Sequence, residues 1–497
     1  MGGAPDVMRE LERIRSTHIP IPPPHQVVLE PKLETADCDL KERVIRLNSK
    51  SQYLEWDYRH EIEHLNAYPR TEKEMFKHYF KALRQLNDGN DRKLFKKYFT
   101  IIANITYDSY IDYELAQRYD NVRKQIEDYV RKLPSLEIPC DEARAFAIRD
   151  KKPKWLKDDV VKAMLYVFHK LKHRLRRVTP KLRIHIKPQG DIIAIAEGMV
   201  ELLDEGYPWE WIKEQAKEYL RDVVGKRVRW SELMEAYVDA LIRSRFNFAI
   251  KVTFEPKVAV NEARGVWDVW RLGDPIDELE LHECIRTYGI LVPGCNTLRR
   301  SLVPTRKGIP KRGRGGARIA ILADCSGSMS EHRKWVYARD AVLMLLGFAM
   351  HYRYEACLSV FTNFNAWSHE WTSDHYSLAR SFVRRYNPKK MPFHSYTSPI
   401  QSLAWLSEIA RKGMTVYLIS DMELIELSKP RELEVAFSDL VPFNPRLVLF
   451  LISHSRRTVD KIAKMARRVG LNDVKGYWVN PLEAKKLVDE VIKEINV

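Results

Sequence analysis

The sequence from Ile319 to Ser330, Ile-Ala-Ile-Leu-Ala-Asp-Cys-Ser-Gly-Ser-Met-Ser, decides the fold of the C-terminal part of the chain. Its apolar start, bounded by Gly-rich and polar sequence, is typical of a buried parallel strand and is too short to span a membrane. Asp324, Ser326 and Ser328 follow at alternate positions. A tight turn after the strand would bring this carboxylate and the two hydroxyls together at the carboxyl edge of a sheet. Hard oxygen ligands of this kind suit Mg²⁺ or Mn²⁺.

Apolar runs and amphipathic segments alternate from residue 317 to the end of the chain, which predicts an α/β, doubly wound (Rossmann-like) domain with a mostly parallel sheet. The predicted strands are 318–323, 356–361, 414–420, 446–453 and 474–479. The predicted helices are 334–351, 377–386, 399–411, 430–438, 459–469 and 483–495.

The Asp-x-Ser-x-Ser run at 324–328 resembles the metal-ion-dependent adhesion site (MIDAS) of von Willebrand factor A (VWA) domains. The family places a threonine further along the chain and an aspartate after a later strand, and Thr397 and Asp421 match these positions. The resemblance implies a VWA domain at 317–497 that holds Mg²⁺ (or Mn²⁺). It also implies that one coordination position stays open for an Asp or Glu of a partner protein. The implied ligands are Asp324, Ser326, Ser328, Thr397 and Asp421.

The chain departs from the family pattern at two places. Ser395 and Tyr396 precede Thr397 where many relatives have glycines, and Met422 follows Asp421 in place of glycine. Ser395 or Ser398 therefore stays an alternative to Thr397 as the ligand of the second loop.

Net charge and cysteine usage indicate the class of partner and the cellular compartment to expect. The chain has 497 residues, a formal net charge of +16 and 6 cysteines without a CxxC pair. An excess of positive charge favours an acidic partner, such as nucleic acid, an anionic membrane surface or an acidic protein. Scattered cysteines favour a reduced, cytoplasmic setting, and the sequence shows neither a signal peptide nor an apolar run long enough for a membrane span.

The first part of the chain is predicted to be helical. Apolar residues at helical spacing from about residue 38 to 133, and again from 192 to 246, predict a helical N-terminal domain at 1–246, with a Pro-rich strap at 19–24. Residues 247–316 are expected to form a mixed connecting segment, with a strand at 248–254 and a basic linker at its end.

Residues 60–64 read His-Glu-Ile-Glu-His and match the HExxH pattern, in which two histidines on one helix face bind zinc and the glutamate acts as a base. Charged residues within and beside the pattern, and the lack of a third-ligand motif after it, favour an exposed, charged helix face. A zinc peptidase is the alternative.

The stretch at 151–187 is the most basic of the chain, and its apolar positions recur at helical spacing. One face could pack while the other presents cations to phosphate groups, or it could be a solvated face or a dock for an acidic protein. The candidate contacts here and in the linker are Lys170, Lys172, Arg174, Arg176, Arg177, Arg306, Lys307, Lys311, Arg312 and Arg314.

No nucleophile with a base, phosphate cradle or cofactor fingerprint accompanies the first-loop residues, so a non-enzymatic role is expected. A helical domain, a basic linker and a MIDAS-bearing domain resemble the intracellular CoxE- and ViaA-like VWA proteins that work with MoxR-type AAA+ ATPases. This resemblance implies an adaptor in complex assembly or remodelling. The alternative is a nucleic-acid-binding protein that resembles the Ro-type RNA-binding proteins.

Overall fold

The computed structural model of the chain describes residues 4–495 except for 21, 34–35, 41, 68, 70, 134, 137, 150, 158, 179–185, 226–227, 255–265, 270–297, 302–317, 363–364, 387–396 and 422–429. The chain divides into two compact units, Met1–Leu241 and Ile242–Val497. The predicted linker contacts Arg306, Lys307, Lys311, Arg312 and Arg314 lie outside the described residues, as does Ser395.

The N-terminal unit is mainly helical, in agreement with the prediction from apolar spacing. Its helices are α1 (Ala4–Ser16), α2 (Leu54–Asn66), α3 (Glu72–Gln85), α4 (Gly89–Arg118), α5 (Asp120–Arg131), α6 (Pro139–Ile148), α7 (Val160–Leu171), α8 (Leu175–Val178), α9 (Ile192–Asp204), α10 (Trp209–Glu218) and the start of α11 (Trp230–Phe254).

Local chemistry sets where these helices begin and which faces they bury. The Thr71 side chain accepts a hydrogen bond from the Glu74 N–H at the start of α3, and Asp88 caps α4 in the same way. Aromatic side chains then pack edge to face between α3 and α4, where the Tyr79 and Phe99 ring centroids lie 5.1 Å apart. The aromatic stripes are helix-packing core.

A small sheet in the N-terminal unit corrects the prediction that the chain is helical throughout from residue 38. Strands β1 (Gln26–Leu29), β2 (Asp37–Asp39) and β3 (Val44–Leu47) lie in the order β1-β3-β2, with β1 parallel and β2 antiparallel to β3. Strands of three or four residues are too short to show a two-residue period, so the sequence pattern did not reveal them.

The C-terminal unit contains the end of α11, a two-stranded pair and a six-stranded sheet alternating with helices. In chain order the elements are β4 (Val266–Val269), β5 (Leu298–Ser301), β6 (Arg318–Asp324), α12 (Lys334–Tyr352), β7 (Glu355–Phe361), β8 (Asn365–Thr372), α13 (His375–Arg385), α14 (Ile400–Ile409), β9 (Thr415–Ser420), α15 (Pro430–Ser438), β10 (Arg446–Ile452), α16 (Arg456–Arg468), β11 (Val474–Val479) and α17 (Lys486–Ile495).

The strand order of the large sheet is β11-β10-β9-β6-β7-β8. All neighbours pair in parallel except β8, which runs antiparallel to β7. The five predicted strands are confirmed within one or two residues at their ends, whereas β8 was not predicted. Its sequence, Asn-Ala-Trp-Ser-His-Glu-Trp-Thr, lacks the continuous apolar run that made the buried strands recognisable.

Residues 248–254 do not form the predicted strand, because they continue helix α11. Helix α11 packs closely against α12 at Gly347, where an added Cβ would lie 3.0 Å from the Phe246 Cα and 3.2 Å from the Ala249 Cβ. This packing outweighs the strand propensity of the aromatic and β-branched residues in the segment.

Among the described residues, none of the helices combines the length and the apolar character that crossing a bilayer requires.

Helix α16 packs so closely on β11 that no space is left for a side chain at Gly476. A Cβ at this position of β11 would lie 2.5 Å from the Val459 Cγ1. We expect Gly476→Ala to lower the free energy of unfolding by about 1–3 kcal/mol, because the core there is already filled. Urea denaturation measures the change.

Val459→Ala provides the matched background for this test, since it removes the atom that the new Cβ would meet. In that background Gly476→Ala should cost less than half as much. An equal cost in both backgrounds would show that the contact with Val459 is not the cause. Leu482→Ala, at a side chain that is 73% exposed, is the near-neutral control.

Candidate metal centre at the sheet edge

The first loop of the candidate site folds back on the end of β6. The Ser326 N–H donates a hydrogen bond of 2.8 Å to Asp324 Oδ1, and the Ser326 and Ser328 hydroxyls are hydrogen-bonded at 3.0 Å. Asp324 is fully buried and Ser326 nearly so. The structure therefore brings the carboxylate and both hydroxyls of the loop together.

Asp421 reaches the same edge because β9 is the neighbour of β6 in the sheet. It follows directly on β9 and is buried, and the preceding Ser420 hydroxyl donates to Asp324 Oδ2 at 2.5 Å. The carboxyl ends of two adjacent parallel strands thus supply the two acidic residues of the site, at the edge where open α/β sheets bind their ligands.

Thr397 lies at the end of β7, the other neighbour of β6. It is buried, and the next residue, Ser398, donates its N–H to the Thr362 carbonyl, one residue beyond β7, at 2.7 Å. Thr397 consequently lies at the carboxyl edge of the strand next to Asp324, on the side opposite Asp421.

Lys334 is a member of this site that the sequence reasoning missed. Its ammonium donates a hydrogen bond of 3.0 Å to Asp421 Oδ2, and the Lys334 side chain is 2% exposed. The available signal in the sequence was a single lysine directly after the first loop, at the first position of the buried helix α12. Lysine is rarely buried unless it is paired, so this position could have been marked as a partner of one carboxylate.

The electrostatics of the site follow from two buried acids and one ammonium. Burial, together with the negative charge of Asp421, raises the pKa of Asp324 to about 7, although hydrogen bonds from Ser420 and Ser326 oppose the rise. Lys334 compensates one carboxylate.

The donor set consists of carboxylate and hydroxyl oxygens, which fits a small hard divalent ion. Asp324, Ser326, Ser328, Thr397 and Asp421 would hold such an ion, and Lys334 pairs with Asp421.

Two further residues fix the strand end rather than supply chemistry. The Tyr386 hydroxyl donates to the Asp324 carbonyl oxygen, and the Cys325 N–H donates to the Phe361 carbonyl at 2.8 Å. Cys325 is buried. These contacts hold the backbone from which the first loop departs.

The basic candidates of the N-terminal unit are partly neutralised. Lys170 is ion-paired with Glu142, and Lys172 with Asp91 at 3.1 Å. Arg176 and Arg177 are exposed and Arg174 is half-buried. Only part of the predicted cationic face is thus presented to solvent.

The prediction that residues 60–64 form an exposed, charged helix face is wrong. His60, Glu61, Glu63 and His64 of α2 are all buried. Asp108 of α4 faces the two histidines, with Asp108 Oδ1 3.4 Å from His60 Nε2. Sequence reasoning missed Asp108 because it lies far along the chain and belongs to no motif. Two aspartates spaced by four in an otherwise apolar and aromatic helix were the available signal.

Comparison with known proteins gives partial structural likenesses only. No family model matches the chain, and no curated protein does. One similar solved structure is the conserved hypothetical protein BatB from Bacteroides thetaiotaomicron, with 14% identity, 36% of this chain and 98% of BatB covered, and a TM-score of 0.27. Another is the pilus adhesin SpaC from Lactobacillus rhamnosus GG in its open conformation, with 10% identity, 37% of this chain and 30% of SpaC covered, and a TM-score of 0.26.

Lys334→Met tests the role of the buried ammonium. Removing one partner of a buried ion pair leaves an uncompensated charge, so we expect a loss of about 3–5 kcal/mol of unfolding free energy in EDTA. Urea denaturation with EDTA present measures it.

The double variant Lys334→Met/Asp421→Asn is the matched control, because it removes both charges. It should recover a substantial part of the lost stability. If Lys334→Met alone is as stable as the wild type in EDTA, the ammonium does not compensate Asp421.

Proposed function

We propose that residues 317–497 form a VWA domain whose metal-ion-dependent adhesion site binds a partner protein. The observation that carries the proposal is that Asp324, Asp421 and Thr397 lie at the carboxyl ends of three neighbouring strands, with Ser326 and Ser328 in the loop that follows Asp324. The sheet order, with β6 between β9 and β7, supports it, because the residues of the three loops belong to adjacent strand ends.

The residues of the site support Mg²⁺ (or Mn²⁺) as the ion. When bound, the ion supplies a coordination position that an Asp or Glu of a partner fills. Asp324, Ser326 and Ser328 would hold the ion from the first loop, and the Lys334 ammonium pairs with Asp421. Binding of a carboxylate requires no bond to break, so the proposed role is that of a non-enzymatic adaptor.

The partner class we propose is a MoxR-type AAA+ ATPase, with the helical unit holding a client or scaffold in complex assembly or remodelling. Its support is the combination of a helical N-terminal unit and a MIDAS-like sheet edge in one chain. The cytoplasmic setting of such ATPases also agrees with the buried Cys38, Cys140, Cys325 and Cys357, which form no disulfide with one another.

Capture from native lysate tests the adaptor. Wild type and Asp324→Ala are compared with Mg²⁺ or with EDTA, nuclease being present in every sample. Asp439→Ala is the matched control, since it removes an exposed aspartate of the same unit.

We expect at least a tenfold loss of the captured partner in Asp324→Ala and in EDTA, with Asp439→Ala unchanged. Calorimetric titration with Mg²⁺ is the direct check on the ion. Absence of Mg²⁺ binding by the wild type would contradict the proposal.

A groove in the N-terminal unit favours nucleic-acid binding as the second candidate. It has a volume of about 740 Å³, and the Trp155 and Tyr166 rings on its wall stack at 5.0 Å. Trp155 is buried and Tyr166 half-buried, whereas the lysines of the groove are exposed and suit the phosphate groups of a nucleic-acid strand. The lysines that line the groove are Lys151, Lys152, Lys154 and Lys157.

Fluorescence anisotropy with single-stranded RNA tests this candidate. Affinity should fall steeply with salt, stay unchanged in EDTA, and fall at least fivefold when Lys152 and Lys154 are both changed to Gln. The pair Lys485→Gln/Lys486→Gln in the C-terminal unit is the charge-matched control. A wild type that binds no RNA at low salt excludes the candidate.

A further inference from the structure

Three potential ligand atoms meet between α2 and α4. His60 Nε2 and His64 Nε2 are 3.1 Å apart, His60 Nε2 lies 3.4 Å from Asp108 Oδ1, and His64 Nε2 lies 3.5 Å from the same oxygen. The two histidines are one helical turn apart on α2, so they share a face, and Asp108 completes a nearly equilateral triangle.

The size of this triangle matches one face of a zinc tetrahedron. With Zn–N and Zn–O distances of about 2.0–2.2 Å, two ligand atoms of a tetrahedral site lie about 3.3 Å from each other. The three observed separations bracket that value. A single ion above the triangle could therefore contact all three atoms without a change of side-chain rotamer.

A second feature orients one of these ligands. His60 Nδ1 lies 2.7 Å from Asp112 Oδ1, and Asp112 in turn accepts hydrogen bonds from Trp56 Nε1 at 2.7 Å and Arg144 Nε at 2.6 Å. A carboxylate that accepts from Nδ1–H fixes the tautomer in which the Nε2 lone pair points away from it, toward Asp108 and His64. Metal-bound histidines almost always donate their other ring N–H to a carboxylate, a backbone carbonyl or water, and Asp112 is such a partner.

The buried side chains around the triangle carry a net negative charge, which favours a divalent cation. Asp112 and Asp141 share the Arg144 guanidinium, and Asp108 adds a third carboxylate that is buried, with a side-chain exposure of 6%. Three negative charges against one positive charge leave a deficit of two, which a divalent ion would supply.

We propose that His60, His64 and Asp108 form a binding site for a zinc-class divalent transition-metal ion. Two imidazoles and one carboxylate suit zinc better than Mg²⁺ or Ca²⁺, which prefer all-oxygen sites. The site belongs to the N-terminal unit and is independent of the proposed adhesion site.

The role we assign to the ion is structural. His60, His64, Asp108 and Asp112 are all buried, so the ion and its fourth coordination position would be shielded from bulk solvent. Helix α2 packs with Tyr58 and Ile62 on the three-stranded sheet and with Trp56 on the α4–α6 side. The ion would tie the polar strip of α2 to α4 between these two apolar contacts.

A metal-free network is the rival arrangement. Burial alone would lower the pKa of His60, but Asp112 and Asp108 outweigh it and raise that pKa well above its usual value. In this arrangement a protonated His60 bridges the two carboxylates, and the unit holds no ion.

Metal analysis of the untagged full chain separates the two arrangements. We expect close to one zinc per chain in the wild type after dialysis against metal-free buffer, and at least a tenfold lower content in His64→Gln. His78→Gln is the matched control, since His78 is a histidine of the neighbouring helix α3 that hydrogen-bonds Tyr107 outside the site. Asp324→Ala should retain its zinc, which keeps this proposal distinct from the adhesion site.

His64→Cys distinguishes the loss of a zinc ligand from the loss of zinc through misfolding. Thiolate is a zinc ligand, so this variant should keep the ion. After cobalt substitution it should show a near-ultraviolet thiolate-to-cobalt band that the cobalt-loaded wild type lacks, whereas a merely structural histidine would give no such band. A wild type without zinc or cobalt binding, or no new band in a folded His64→Cys, would overturn the site. Zinc-dependent proteolysis that Glu61→Gln abolishes would overturn the structural role.

Discussion

Asp324 ends a central strand of the large sheet with its carboxylate fully buried, and hydrogen bonds from the surrounding structure offset part of the cost of burying that charge. The Ser326 N–H and the Ser420 hydroxyl each donate to one of its oxygens. Because a second acid, Asp421, ends the neighbouring strand, the region also needs positive charge, which Lys334 supplies in part. Because β6 and β9 are adjacent and parallel, the residues that follow them lie at the same edge of the sheet, which brings the two acids near each other.

The sheet could be predicted from sequence because its buried strands are continuous apolar runs. Strand β8 and the strands β1–β3 escaped prediction, since short or half-exposed strands carry no such run. The first-loop residues were recognisable because they are adjacent in the chain. Lys334 was not, because whether a lysine is buried depends on tertiary contacts rather than on its neighbours in sequence.

The histidine cluster also shows that burial depends on tertiary contacts, because here the sequence predicted an exposed helix face that the fold buries. Charged residues beside the HExxH pattern predicted exposure, yet α2 is buried on nearly every side. Its charges are matched by partners from distant segments: Arg118 binds Glu63, and Asp112 faces His60. A single helix cannot display such partners in its own sequence, so local charge is a poor guide to exposure where several helices surround one.

The antiparallel strand β8 has a consequence for how copies of the protein behave in crowded solution. In the described sheet, β8 forms one edge, and polar residues such as Ser368, His369 and Glu370 interrupt its aromatic positions. Trp478 on the other edge strand, β11, is held by a hydrogen bond from its indole N–H to the Ser453 carbonyl. Polar residues and register shifts at β8 disfavour its pairing with a strand of another copy of the chain.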